Sequence, residues 1–467
     1  MFNNLELAQI AAGTFVLDFV EARLAQQREE EPDVYLGSAT IIQDENKALK
    51  LKLLGKLQSK KSMAEQFMDA FNGGFTSGKL IGRESYYRFF GVDMSGREWT
   101  AEDVSIATNG NMNNGNYVVH SHRLRELRHA GEPIKVTSAK HYMLIPGKFN
   151  IPFNLTQDDQ NERGLSKCLI PIGEQRDIVV KTKGENLLVI ITTPSAEEDK
   201  YKDRVLEALG IATGAHLYPQ IEMIRAPNRD ELVLRSAKSR HTAAARLVSP
   251  VVNSGSSNFS DFAKFVLCYF QAYSEPFHQV AGLWFRILTA FDSSLENQGL
   301  IIATACEGVI NAEFEDECKP EQIFLDQLSE ARPLVEKLNV QPRAKARLIT
   351  SIDTAKNSTV SNALRSLTES QKIPENLRKT WQSLRNKLAH ASELDWEEHK
   401  MQDFIDSLYA CLELFYRLIM IRINYDGSLR SLSKTGWPTE LYDQFKTQVH
   451  FRFGPEAPGS RQATVGQ

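Results

Sequence analysis

The spacing of apolar residues changes once along this chain, and that change limits the folds open to it. Up to about residue 250 apolar side chains recur at intervals of two, as where Leu49, Leu51 and Leu53 alternate with Lys50 and Lys52. Beyond residue 261 they recur at three and four, as in Phe262, Phe265, Val266, Tyr269 and Phe270. A period of two sends successive side chains to opposite faces of a strand, and a period of 3.6 gathers them on one stripe of a helix. Between the two regimes, residues 249–261 (SPVVNSGSSNFSD) carry the Ser, Gly, Asn and Pro that break either pattern, and they read as a linker. The expected fold class is therefore α+β. A β-rich N-terminal domain spans residues 1–250, an all-α bundle spans 258–424, and an extension at 425–467 ends in a mobile tail from residue 454.

Within the first region, residues 34–42 are β-branched and apolar, and Asp44, Glu45 and Asn46 form a turn cluster, which together with the Leu/Lys alternation predicts a hairpin with one wet face. Further strands are expected at 117–119, 140–145, 177–193, 217–224 and 231–234, a helix at 196–209, and loops at 91–99 and 108–116. No period of 20 to 50 residues recurs, so the chain is not a solenoid. In the second region, 283–295 and 300–314 read as apolar helices, and 320–338 and 343–355 as more polar ones. Pro374 opens a helix with Glu375 in its first turn. Phe404, Ile405, Leu408, Cys411, Leu412, Phe415, Leu418 and Ile419 form one continuous stripe on the last long helix, as bundle core or as a dimer surface.

Composition excludes several functions. A formal charge of -4 over 467 residues does not suit a protein that coats nucleic acid by bulk electrostatics, so any RNA contact must come from local basic surface. The basic stretches 123–128 and 238–246 are candidates, though each reads more simply as a solvated face. Five scattered cysteines without a C-x-x-C pair fit core thiols in a reducing cytoplasm. The first 24 residues mix Asn, Glu, Asp and Arg into their apolar pattern, which matches neither a signal peptide nor a membrane span, so a cytoplasmic protein without a membrane partner is expected. Gly-x-x-x-x-Gly-Lys-Ser/Thr, HExxH and GxSxG are absent. His120 and His122 alternate on one strand face but lack a third ligand, so no metal and no cofactor is expected.

Chemistry points to Arg385-Asn386-Lys387-Leu388-Ala389-His390. Arginine precedes histidine by five or six positions three times, at Arg123/His129, Arg235/His241 and Arg385/His390. Only the third pair combines a polar Asn directly after the arginine with a place at the close of a long helix-compatible run and a second amphipathic helix at once behind it. Leu377, Trp381, Leu384 and Leu388 share one helix face, which should pack into the bundle. Asn386 and His390, four apart, share another, so the amide is placed to orient the imidazole. Arg385 lies at the edge of the packed face, with a side chain long enough to reach the same surface. Carbonyls at a helix C-terminus favour a protonated imidazole and so a proton donor. RNA brings its own nucleophile, the 2′-OH, and cleavage then needs a proton-transfer group and a cation for the phosphorane charge, which histidine and arginine supply.

The hexapeptide RNKLAH, closing one helix ahead of a long apolar one, resembles the signature of the HEPN superfamily: Arg, a polar residue, three or so residues, then His. It is similar to HEPN domains of the ApeA type, which sit behind a β-rich N-terminal domain in prokaryotic anti-phage proteins. Residues 304–309 (TACEGV) are similar to an acidic position on an earlier helix of those domains; taken by itself, Glu307 reads as a partner for a polar group rather than a catalyst. The resemblance covers residues 258–424 and, more loosely, 35–55 and 206–235. It implies a metal-independent endoribonuclease, an abortive-infection effector with RNA as substrate. It also implies a homodimer in which two copies of Arg385, Asn386 and His390 line one cleft. The N-terminal domain would then sense a phage-derived or stress ligand. The competing expectation is a non-catalytic module whose helices bind a nucleotide or a partner protein.

Overall fold

The computed structural model describes residues 4–58, 82–111, 116–132, 135–156, 165–173, 176–194, 199–237, 246–252, 258–389 and 397–441. Six strands open the fold: β1 (Val16–Gln26), β2 (Val34–Gln43), β3 (Leu49–Gln58), β4 (Tyr87–Asp93), β5 (Glu98–Asn111) and β6 (Asn116–Arg123). They pair antiparallel in the order β4-β1-β2-β3-β6-β5, and β4 pairs back onto β5, so the six close into a ring. Closure leaves these strands no open edge for another chain to extend. Alternation fills the ring with Phe19, Leu24, Ile41, Leu51, Leu53, Phe89 and Trp99, while a short helix α1 (Asn4–Ala12) adds Ile10 to the same core. The expected Leu/Lys hairpin is β2–β3: Leu49, Leu51 and Leu53 are buried and Lys50 and Lys52 are exposed. Asp44 Oδ1 closes its turn by accepting from the backbone N–H of Asn46 and of Ala48, both at 2.9 Å.

Two loop expectations are corrected here. Residues 91–99 form a tight hairpin in which only 94–97 are turn, because Asp93 accepts from the N–H of Ser95 and Arg97 and from Trp99 Nε1. Gly91 signals no loop. A Cβ there would lie 2.6 Å from Phe19 Cδ1, so glycine is what lets β4 pass the buried ring. Residues 108–111, polar as they are, continue β5 because β6 offers them partners, as in Asn109↔Val118 and Gly110↔Tyr117.

Beyond the ring the sheet continues from β5 through β7 (Glu126–Ala130). Next come β14 (Arg229–Arg235), β13 (Ile221–Ala226), β8 (Ala139–Pro146), β12 (Asn186–Thr193), β11 (Arg176–Lys183), β10 (Leu165–Gly173) and β9 (Leu155–Thr156). Residues 217–220, expected as strand, precede β13 without joining it. Helix α2 (Asp199–Thr213) covers this part of the sheet and leads to the helices α3 (Phe259–Ala272), α4 (Gln279–Ala290), α5 (Leu295–Glu313), α6 (Glu315–Cys318), α7 (Gln322–Lys337), α8 (Pro342–Ala355), α9 (Val360–Glu369), α10 (Glu375–Ala389) and α11 (Glu398–Arg422). The fold is α+β, with the β-rich part first, and a small hairpin β15 (Ser428–Arg430) and β16 (Thr439–Leu441) follows the helices.

One hydrophobic cluster runs from Met143, Ile178 and Val189 on the sheet, through Val205 and Leu209 on α2, into Phe262, Trp284 and Phe415 of the bundle. Of the expected linker, residues 249–252 pack against it and Phe259–Asp261 already form the first turn of α3. Ser249, Val251 and Val252 are buried, Ser249 Oγ donates to the Ala212 carbonyl at 2.6 Å, and the Pro250 carbonyl accepts from the Arg430 N–H at 2.8 Å. The apolar stripe of α11 is likewise consumed within the chain, with Phe404, Leu408, Cys411, Leu412, Phe415, Leu418 and Ile419 all buried. Its dimer-surface reading therefore has no exposed stripe to stand on. Helices α7 and α8 differ. They bury no residue, and Ile323 and Leu334 are 71% and 64% exposed, so this helical arm keeps apolar surface in water. The expected tail from residue 454 lies outside the described residues.

Candidate functional site

Helix α10 follows Pro374 and carries the RNKLAH segment as far as Ala389. Its inner face is as expected: Leu377, Trp381 and Leu384 are buried, and Leu388 is half-buried at the rim. Trp381 Nε1 donates to the Ala303 carbonyl of α5 at 3.1 Å, which fixes the rotation of α10 about its axis. Close approach of α5, α10 and α11 depends on Gly299, where a Cβ would lie 3.0 Å from Leu388 Cδ1 and 3.2 Å from Phe404 Cζ.

With that face anchored, Arg385 and Asn386 are exposed. Arg385 Nε donates to Glu307 Oε1 at 2.9 Å, joining α10 to α5 at the surface. The arginine side chain is 49% exposed and the glutamate 25%. The ion pair engages only the Nε edge, and among the described residues no acceptor takes the terminal amino groups. A guanidinium steadied in this way is oriented for a bidentate anion contact, although Glu307 offsets part of its charge. Lys387 Nζ lies 5.6 Å from the Phe404 ring, which holds a second cation near the same helix end. His390 lies outside the described residues, and with it the expected pairing with Asn386. The structure thus brings Arg385 together with Glu307 and leaves Asn386 exposed beside them.

The other arginine–histidine pairs are structural where they are described. Arg235 NH2 meets Glu222 at 2.5 Å, and Lys202 Nζ meets the same carboxylate at 2.7 Å. His129 Nδ1 lies 2.8 Å from the Glu98 carbonyl, with its ring against Trp99. The Arg123 and His122 side chains and all of His241 lie outside the described residues; His120 is exposed on β6, as a surface strand requires. In the basic stretch at 123–128, Arg128 is taken up by Glu126 and Glu231.

A titratable cluster at the contact between α2 and α3 was not legible in the sequence. Tyr269 Oη lies 2.7 Å from His278 Nε2 and 3.4 Å from Glu207 Oε2, Glu207 Oε1 accepts from the Phe277 N–H at 2.7 Å, and Tyr273 stacks on His278 with ring centroids 3.7 Å apart. Burial pushes Glu207 up to about 7 and His278 down to about 4. His278 is therefore neutral near neutral pH, and its 3.9 Å approach to Glu207 is no ion pair. These groups come from a helix, a second helix and a loop, and no local pattern announces them.

No protein family, curated protein or solved structure matches the chain, so the HEPN resemblance rests on the motif and its setting. Among the described residues no helix is long and apolar enough to cross a membrane.

Proposed function

We propose that the chain is a metal-independent endoribonuclease of HEPN type, acting in anti-phage defence. The observation that supports it best is the exposed Arg385, held by Glu307 one turn from the end of a helix whose adjoining face is locked into the bundle. In this reading Arg385 binds the scissile phosphate and stabilises the charge that develops on it. Asn386 orients His390 or the phosphate, His390 transfers the proton, and the RNA 2′-OH attacks. Glu307 is a positioning residue that presents the guanidinium. RNA incubated with the purified chain in EDTA should be cut to fragments ending in 2′,3′-cyclic phosphate, DNA should survive, and His390→Ala should leave RNA intact. Activity abolished by EDTA and restored by a divalent cation would overturn the mechanism.

A second reading draws on the same ion pair. An Arg385 already paired suits a non-catalytic module that binds a nucleotide or a partner protein, and RNA left intact by the wild-type chain would favour it. For the expected homodimer, the α7–α8 arm offers the surface that α11 does not. Helix α7 carries Asp326, Glu330 and Glu336 against two basic residues, and α8 carries Arg343, Lys345 and Arg347 against one acid. A two-fold pairing would set each helix against its opposite in charge while burying Ile323 and Leu334.

A further inference from the structure

A cavity of about 230 Å³ opens where the segment after β8, the end of α2, the 246–252 segment and the C-terminal hairpin meet. Among the described residues that line it none is acidic, and two are arginines, Arg246 and Arg430. In a chain with a net charge of -4, two arginines lining one concavity without a carboxylate among its described wall residues call for an explanation. Each is held against a ring: Arg246 Cζ lies 5.1 Å from the Phe149 centroid and Arg430 Cζ 5.7 Å from that of Trp437. Stacking keeps each guanidinium plane fixed; Arg246 Nη2 also donates to the Lys148 carbonyl at 2.5 Å, which anchors that group and leaves its remaining N–H donors without an acceptor among the described residues.

Arg430 is the more unusual of the two. Its Nε is buried with no acceptor among the described residues, and burial lowers its pKa with no carboxylate opposing the shift. Glu413, which reaches the same hairpin, is already taken by Arg417 Nε at 2.7 Å and the Ser433 N–H at 2.8 Å. The Arg430 terminal amino groups also have no acceptor among the described residues, and it is these donors that an anion in the cavity would meet. Two positive charges match a phosphate dianion better than a single carboxylate. The volume falls below the roughly 300 Å³ at which pockets for drug-sized ligands begin, so it fits a phosphate group rather than a whole large ligand.

We propose that this junction cavity binds a phosphate-bearing small molecule through Arg246 and Arg430. The site stands independently of the ribonuclease reading. Trp437 also packs on Tyr409 of α11 at 4.8 Å between centroids, so an occupant would touch the long helix against which α10 is packed. Free phosphate and the phosphoryl end of a nucleotide share the chemistry proposed.

Calorimetric titration of the full chain with orthophosphate, pyrophosphate, AMP and adenosine, at constant ionic strength, tests it. Saturable binding of at least one phosphate-bearing probe, one per chain, is expected. Arg246→Gln and Arg430→Gln should each weaken it at least tenfold, and Arg286→Gln on the exposed side of α4 should leave it unchanged. AMP binding more tightly than orthophosphate would assign a nucleotide, and equal affinities would assign the phosphate alone. No saturable binding of any of these phosphates, adenosine binding as tightly as AMP, or binding undiminished in the Arg246→Gln variant would overturn the proposal. Arg246 is exposed, so its variant reports on binding even if Arg430→Gln fails to fold.

Discussion

Leu384 and Arg385 are neighbours in the chain, and the structure gives them opposite duties, so substituting each by alanine separates folding from chemistry. Leu384 is 2% exposed within a core shared by α5, α10 and α11, so Leu384→Ala removes a fully enclosed side chain and should cost about 2–5 kcal/mol. For a cooperative unit of this size a urea slope near 3 kcal/mol/M is reasonable, and the unfolding midpoint should fall by roughly 1 M. Arg385 loses one ion pair, with partners 49% and 25% exposed, and solvent screening holds its contribution to about 0.2–1 kcal/mol. Its midpoint should therefore move by less than roughly 0.3 M. Cleavage should respond in the reverse sense. At a temperature where both variants are folded, Arg385→Ala should lose roughly 100-fold or more in kcat, the usual consequence of removing a cation that meets transition-state charge, while Leu384→Ala keeps measurable turnover. Urea unfolding followed by far-UV circular dichroism, together with single-turnover cleavage of a labelled RNA, reads both quantities. Equal destabilisation by the two variants would refute the packing of α10 described above, and full activity of Arg385→Ala would refute the site.

Two further outcomes follow from charges and surfaces elsewhere. Glu222 is buried, which alone would raise its pKa, but Arg235 and Lys202 outweigh that effect and hold the carboxyl below its ordinary 4.5. Its stabilisation is thus complete above about pH 4.5 and is lost as pH falls through the lower folded value. Glu222→Gln should cost about 3–5 kcal/mol at pH 7, and the gap to wild type should narrow in acid; a pH-independent difference in urea midpoints would contradict this. If the α7–α8 arm joins two copies, sedimentation should find the full chain dimeric and Leu334→Asp monomeric; a dimer indifferent to Leu334→Asp would place the contact elsewhere.

What could be read from the sequence was what neighbours in the chain decide. The β2–β3 hairpin rests on the alternation of Leu49, Leu51 and Leu53 with lysines and on one turn. The rotation of α10 rests on the spacing of Leu377, Trp381 and Leu384, and both were legible. Residues 91–99 and 108–111 misled because composition was taken for conformation: Gly91 is there for the Phe19 ring, and Asn109 and Gly110 are strand because β6 lies alongside. The Arg385–Glu307 contact spans 78 residues, and only the helix packing that Gly299 allows brings the two together.

The 249–261 segment shows the same division with a consequence for control. Its residues break both periods, which the sequence shows plainly; what it conceals is that 249–252 have a buried berth, fastened to Ala212 on one side and to Arg430 on the other. A signal from the N-terminal half therefore has little scope to act by swinging the helices about those residues. It has a packed route instead. Arg204 on α2 donates to the Phe270 carbonyl of α3, and Glu207 on α2 holds the Phe277 N–H just before α4, so a shift of α2 is felt directly by the bundle. A ligand that binds the sheet side would bias the helices only to the extent that it favours one packing of this shared core over another. The junction cavity is lined by residues of both halves, so a small molecule bound there would touch both sides of that core at once.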